Sequence, residues 1–300
     1  MNHQILPSGV RLAFGIVSLT LLSSAWASPP VIDDLKIMDT LRTATADCVE
    51  KEGIPSADAL GEKARKADSI QLALTLPVVP EGDYKTDYQS LSRSVYLMNT
   101  VYKCGKCNDW HQGSTSTAWC IGEDGLMVTN AHVFIGAKGA AMGVSDPDGH
   151  CFPVIDLLGM DKATDIAVFR VRATGLKPLR LGLAAEVGSP VTSISNPHHH
   201  CFLRTSGSVS RYALGTMAPK QARVPWMNVT ADYAVGSSGG PIFNDAGEVV
   251  GMVSSTQSIY TGSANREKNS VKGDFQMTIK ICVPADSIRA LFQPEVKKPG

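Results

Sequence analysis

The sequence predicts a mainly β protein behind an N-terminal helical arm. Two observations carry that prediction. From Ser94 to about residue 283 the chain is a succession of short apolar runs separated by Gly, Pro, Asp and Asn, the pattern of an all-β barrel or sandwich. Before it, the apolar residues Val31, Ile32, Leu35, Met38 and Leu41 fall at helical spacing. A third observation, the glycine-dense stretch Tyr233-Ala-Val-Gly-Ser-Ser-Gly-Gly-Pro-Ile-Phe-Asn244, marks where chemistry is expected.

The elements follow in order. Residues 1–27 read as a secretory signal peptide: Arg11, the apolar run Leu12–Leu22, then Ala25-Trp-Ala27 as a small-residue cleavage pattern. That run is short for a membrane span, and no later segment is long and apolar enough to cross one. Residues 28–93 form the arm and linker. Helical spacing begins at Val31 and resumes over Ala57–Leu74, with Gly53-Ile-Pro55 between. The arm is expected to pack on the β region; an oligomerisation or regulatory segment is the rival reading. Pro and Gly make Leu76–Asp83 a linker.

In the β region, strands are expected at Val95–Tyr102, Thr115–Ile121, Leu126–Thr129, Ala140–Val144, Cys151–Asp156 and Ile166–Val171. The turn Gly122-Glu-Asp-Gly125 makes a hairpin of the second and third. Gly175–Gly182 is the crossing to a second half, with strands at Val191–Ile194, Gly207–Tyr212, Trp226–Thr230, Pro241–Phe243, Val249–Val253 and Met277–Val283. Thr256–Lys272 reads as a long polar surface loop, Pro284–Phe292 as a closing helix and 293–300 as a tail.

Charge narrows the function. There are 28 Lys and Arg against 28 Asp and Glu. Arg11 is the single charge in the first 27 residues, so the remainder has a net charge of about −1. That balance argues against nucleic acid or an anionic membrane as the main partner, and after signal cleavage no stable membrane insertion is expected.

In the Tyr233–Asn244 stretch, Gly236, Gly239 and Gly240 force a tight backbone path around Ser237 and Ser238. A serine held on such a turn, with N–H groups converging beside it, has the makings of a nucleophile and its oxyanion hole. A base and an orienting acid are then required. Val128-Thr-Asn-Ala-His-Val133 offers His132 at the end of an apolar strand, and Lys162-Ala-Thr-Asp-Ile-Ala-Val-Phe169 offers Asp165 at the start of another.

The strings Thr129-Asn-Ala-His-Val133, Asp165-Ile-Ala-Val168 and Gly236-Ser-Ser-Gly-Gly-Pro241, in that order, resemble those of the trypsin-like serine proteases of chymotrypsin fold, and most of all the bacterial Deg-type (HtrA-like) branch. The resemblance covers about residues 94–292. It implies two six-stranded antiparallel β-barrels, about 94–178 and 179–292, with the site in the cleft between them. It also implies a serine endopeptidase acting on polypeptides, without a cofactor or metal, in the periplasm or secreted. Ser238 is the implied nucleophile, His132 the base and Asp165 the orienting acid, with the amides of Gly236 and Ser238 as oxyanion donors. By the same likeness Ser254 supports Asp165, residues 253–255 (Val253, Ser254, Ser255) pair with substrate backbone, and Asp232 is placed to select a basic P1 side chain; a small apolar pocket and a structural role for Asp232 are the alternatives. The chain departs from the branch at Ser237, where Asn is usual. Beyond residue 292 too few residues follow for the PDZ domain that Deg-type enzymes usually carry. A catalytically latent peptide-binding or scaffolding protein is the alternative function, and an esterase-like hydrolase a minor one.

Seven cysteines, at 48, 104, 107, 120, 151, 201 and 282, suggest disulfides in an exported chain, with at least one left over. Cys104-Gly-Lys-Cys107 is expected to be disulfide-bonded. His198-His-His-Cys201 is expected to be an exposed polar loop; zinc held by two of its imidazoles with Cys201, or with Cys104 and Cys107, is the competing reading.

Overall fold

A computed structural model describes residues 31–79, 84–217, 221–261 and 273–294, with residues 1, 219, 264, 265, 270 and 271. The signal-peptide and tail expectations, and part of the linker, lie outside the described residues. Residues 32–300 fall in one unit.

Helix α1 (Asp34–Glu52) starts where Asp33 accepts the Lys36 N–H and stops at Gly53, which takes the left-handed φ of 59°. Helix α2 (Ala57–Lys66) is capped by Ser56, whose hydroxyl accepts the Ala59 N–H. The sequence suggested helix as far as Leu74, but α2 ends at Lys66. Asp and Ser at 68 and 69 are poor helix formers, and Ser69–Ile70 form a short strand, β1.

After the short helix α3 (Tyr88–Ser92), six strands make the first barrel: β2 (Val95–Lys103), β3 (Trp110–Gly122), β4 (Leu126–Thr129), β5 (Ala141–Ser145), β6 (Cys151–Asp161) and β7 (Ile166–Val171). All pairings are antiparallel, and the ring β6-β5-β2-β3-β4-β7 closes through β6 against β7, with β1 added on the outer side of β6. Between β4 and β5 lies the short helix α4 (Ala131–Ile135).

The second barrel comprises β8 (Pro190–Ser195), β9 (Leu203–Gly215), β10 (Val224–Val229), β11 (Pro241–Phe243), β12 (Val249–Tyr260) and, after the two-residue strands β13 (Ala264–Asn265) and β14 (Ser270–Val271), β15 (Phe275–Pro284). It closes in the order β10-β15-β12-β11-β8-β9. Helix α5 (Ala285–Leu291) ends the described fold. Thr256–Tyr260, read from sequence as loop, instead continues β12 and pairs with β15 from Phe275 to Lys280. Its polar residues stand on an extension exposed on both faces, which leaves no apolar period to read.

Each barrel has its own core. Phe134, Phe169 and Met127 belong to the first; Met227, Ile242 and Val250 to the second. A third cluster joins Trp119, Val95, Phe243, Met252 and Val283 from both barrels with Ile37 and Leu41 of α1. Burial of these side chains, about 1.5–3 kcal/mol each, fixes one barrel against the other and so fixes any site shared between them.

The arm packs on the first barrel. Ala57, Leu60 and Ala64 of α2 join the cluster containing Phe134 of α4. At Gly61 a Cβ would meet the Ala137 carbonyl at 2.5 Å, so α2 approaches the end of α4 at backbone distance. Arg65 donates to the carbonyls of Ile135 and Ala137 at 2.9 and 3.3 Å. The Ile135 carbonyl is one that the end of α4 leaves without an intrahelical donor.

Candidate functional site

Strand β4 ends at Thr129, and Asn130 turns the chain into α4, so His132 sits in a first helical turn rather than at a strand end. Asp165 stands immediately before β7 with φ 58°, a conformation that Asp tolerates better than most residues. The Asn130 side-chain amide donates to the Asp165 carbonyl at 3.0 Å and pins that backbone.

The Asp165 carboxylate is 2% exposed and accepts several donors. Its Oδ1 receives the His132 backbone N–H at 3.0 Å. Its Oδ2 receives the Ser254 hydroxyl at 2.6 Å and lies 2.9 Å from His132 Nδ1. The other imidazole nitrogen, Nε2, lies 2.9 Å from Ser238 Oγ. Asp165, His132 and Ser238, two residues from the first barrel and one from the second, are therefore one hydrogen-bonded line. The buried acid holds the imidazole by Nδ1 and leaves Nε2 facing the hydroxyl.

Ser238 rides on a loop that the glycines make possible. Gly236 and Gly239 take φ 99° and 87°, and a Cβ on Gly239 would meet the Thr117 carbonyl at 2.1 Å. Thr117 was not singled out in the sequence, yet it clasps this loop. Its hydroxyl donates to the Gly236 carbonyl at 2.9 Å and its N–H to the Ser238 carbonyl at 2.8 Å. The same hydroxyl oxygen accepts the Asn196 N–H at 3.1 Å and the Asn196 side-chain amide at 3.0 Å. Ser237, at the position that departs from the family string, is buried and takes a hydrogen bond from the Ser195 hydroxyl at 3.0 Å. Thr117 and Asn196 carry no sequence signal, because their role depends on which strands meet.

His198 N–H donates to the Val235 carbonyl at 2.8 Å. Across a trans peptide C=O and N–H point opposite ways, so the Gly236 N–H points away from His198. Among the described residues neither the Gly236 nor the Ser238 amide has a backbone acceptor. Val235, Gly236, Ser238 and His132 line one cavity of about 220 Å³ with Met98 and Met142 among its other walls.

The residues expected to bind substrate divide. Ser254 belongs to the site: its carbonyl is 3.4 Å from Ser238 Oγ. Val253 does not offer a free edge, because its N–H donates to Gly240 and its carbonyl accepts from Gly239, at 2.8 and 3.0 Å. Ser255 faces Ile281 of β15, and its carbonyl accepts the Tyr233 hydroxyl at 3.0 Å. Asp232 lies elsewhere. Its side chain is 87% exposed and pairs with Lys280 at 3.3 Å, in a surface depression with Ser210 and Asn228. A lysine on the adjoining strand and open water hold this carboxylate outside.

All seven cysteines are free. The Cys104 and Cys107 sulfurs are 3.4 Å apart, not bonded. Backbone N–H groups aimed at its sulfur, that of Lys106 first, bring the Cys104 thiol down to about 7. Burial pushes Cys120 and Cys282 up to about 12. The imidazoles of residues 198–200 are exposed, with His198 and His199 at φ 45° and 68°, and form no metal-type cluster with Cys201 among the described residues.

Residues 116–252 match the trypsin-like peptidase domain. A probable periplasmic serine endoprotease, DegP-like, of Hahella chejuensis is 36% identical over 152 residues, 50% of this chain and 31% of the relative. Another DegP-like protein, from Pseudomonas fluorescens, is 27% identical over 242 residues, 79% of this chain and 42% of the relative. The serine endoprotease DegS of Haemophilus influenzae is 26% identical over 204 residues, 66% of this chain and 57% of the relative. The chain thus spans about a third of the length of the first of these relatives. Among solved structures, the HtrA-type protease AlgW with a decapeptide matches with a TM-score of 0.52 and 19% identity, over 67% of this chain and 64% of that one. That likeness bears on the fold: two antiparallel barrels, as expected. The matched segment contains His132, Asp165 and Ser238, and residues 116–252 are similar to the trypsin-like peptidase domain and to segments of the DegP-like and DegS serine endoproteases.

Proposed function

We propose that the chain is a serine endopeptidase that cleaves polypeptides through an acyl-enzyme on Ser238. The hydrogen-bonded line from Asp165 through His132 to Ser238 carries this reading. His132 Nε2 takes the hydroxyl proton as Ser238 Oγ attacks the scissile carbonyl. It then gives that proton to the leaving amine, and a water repeats the sequence to release the acid. Asp165 holds the imidazole in the tautomer with its proton on Nδ1 and stabilises the imidazolium. The amides of Gly236 and Ser238 receive the negative charge that develops on the carbonyl oxygen; one such donor is worth about 2.7–4 kcal/mol.

The Ser254 carbonyl, beside Ser238 Oγ, is the acceptor for a substrate backbone N–H. The exposed, lysine-paired Asp232 speaks against selection of a basic P1 side chain. The signal-like first 27 residues and the periplasmic names of the relatives support export to the periplasm or the medium. The experiment is digestion of unfolded casein by the chain lacking residues 1–27 and by its Ser238→Ala form. Cleavage by the first alone, with cut sites that do not favour Lys or Arg, is expected. Equal cleavage by both, or none by either, contradicts the proposal, and the latter outcome returns the chain to a binding or scaffolding role.

A further inference from the structure

The far end of the β2–β3 hairpin carries Cys104-Gly-Lys-Cys107-Asn-Asp-Trp-His111, and the turn brings two sulfurs and an imidazole to one point. Besides the 3.4 Å between the sulfurs, Cys107 Sγ lies 3.0 Å from His111 Nε2. All three donor atoms fall within 4.8 Å of one another. A disulfide holds its sulfurs at about 2.05 Å. Two thiolates on a tetrahedral zinc, with Zn–S of about 2.3 Å, stand roughly 3.8 Å apart. The observed spacing is near the second value and far from the first.

The surroundings suit a thiolate site. Gly105, at φ 74°, allows the tight turn, and the Lys106 N–H donates to Cys104 Sγ at 3.4 Å. The His111 ring lies against its cross-strand partner Tyr102, with centroids 5.4 Å apart. Its neighbour Trp110 is tied to α1: the indole donates to Glu50 at 3.1 Å and Arg42 donates to the Trp110 carbonyl at 3.2 Å. The donors are thus held in place before any ion arrives, on a loop open to solvent.

We propose that Cys104, Cys107 and His111 bind zinc, as two thiolates and one imidazole, with the fourth tetrahedral position left to water or another donor. The soft donor set selects against magnesium and calcium. Binding releases the thiol protons to solvent. The ion braces the hairpin whose inner residues, Asn99, Thr100 and Ser114–Ser116, line the cavity containing Ser238. The site stands independently of whether Ser238 is a nucleophile.

The test uses the Ser238→Ala chain, which cannot digest itself, reduced and handled without oxygen. It is loaded with zinc, freed of excess on a chelating resin and assayed for metal. A parallel sample receives cobalt(II). One zinc per chain and a thiolate-to-cobalt charge-transfer band are expected. Cys104→Ser with Cys107→Ser abolishes both, and His111→Ala weakens zinc binding by on the order of tenfold or more. His150→Ala, in the separate Asp146, Asp148 and His150 cluster, changes neither. Cys104, Cys107 and His150 are exposed and His111 is half-buried, and circular dichroism checks that each variant folds. No zinc on the reduced chain, or zinc that survives the cysteine and His111 substitutions, overturns the proposal.

Discussion

Asp165 collects a backbone N–H, an imidazole and a hydroxyl while its own backbone stands in the left-handed region. Such a conformation costs on the order of 1–3 kcal/mol, and the Asn130 clasp and the buried carboxylate contacts offset it. Removing one donor tests that balance. Ser254→Ala deletes a charge-assisted hydrogen bond worth about 1.5–3 kcal/mol. It should lower kcat/KM by about tenfold or more, with KM little changed, in steady-state peptide hydrolysis. Thr117→Val is a sharper probe of the nucleophile loop. It leaves the Gly236 carbonyl and two Asn196 donors without their partner, at about 1–3 kcal/mol for a buried unsatisfied group. Both the urea midpoint and kcat should fall. His132, Asp165 and Ser238 were legible in the sequence because each sits in a short local string. Thr117 and Asn196 were not, because a buried Thr or Asn looks alike in any strand until its cross-barrel partner is known. The alternatives left open for Asp232 could not be decided from sequence: its offset from Ser238 is local, whereas its exposure and its pairing with Lys280, 48 positions away, are not.

At the scale of elements, the arm bears on the site through α4. Helix α2 reaches the backbone at the end of α4, and α4 carries His132. Gly61→Leu forces a side chain against the Phe134 and Ala137 carbonyls. Overpacking of this kind costs about 1–3 kcal/mol. The variant should unfold at lower urea and should lose activity even where it is fully folded, read as kcat on a peptide ester below the transition. Unchanged kcat in the folded variant would separate the arm from the site. The caps at Asp33 and Ser56 are seen in the structure; both arm helices were visible in the apolar spacing, with the break between them at Gly53-Ile-Pro55. Strand β1 and the outer half of β12 were not, because pairing with a distant strand, rather than a local pattern, makes them extended.

In the described residues two rings of strands share a core around Trp119 and Phe243, and the candidate site lies where the rings meet. The β class was legible because short apolar runs with turn residues recur twice; ring closure, through β6 pairing with both β5 and β7, came from the family resemblance and not from any local pattern. The central claim is that this meeting of barrels makes Ser238 a nucleophile. The most direct measurement is covalent labelling with a fluorophosphonate probe, followed by mass mapping of the adduct. One adduct per chain on Ser238, absent in Ser238→Ala and strongly slowed in His132→Ala, is the predicted result. No adduct on the folded chain, or one on a different residue, would contradict the account.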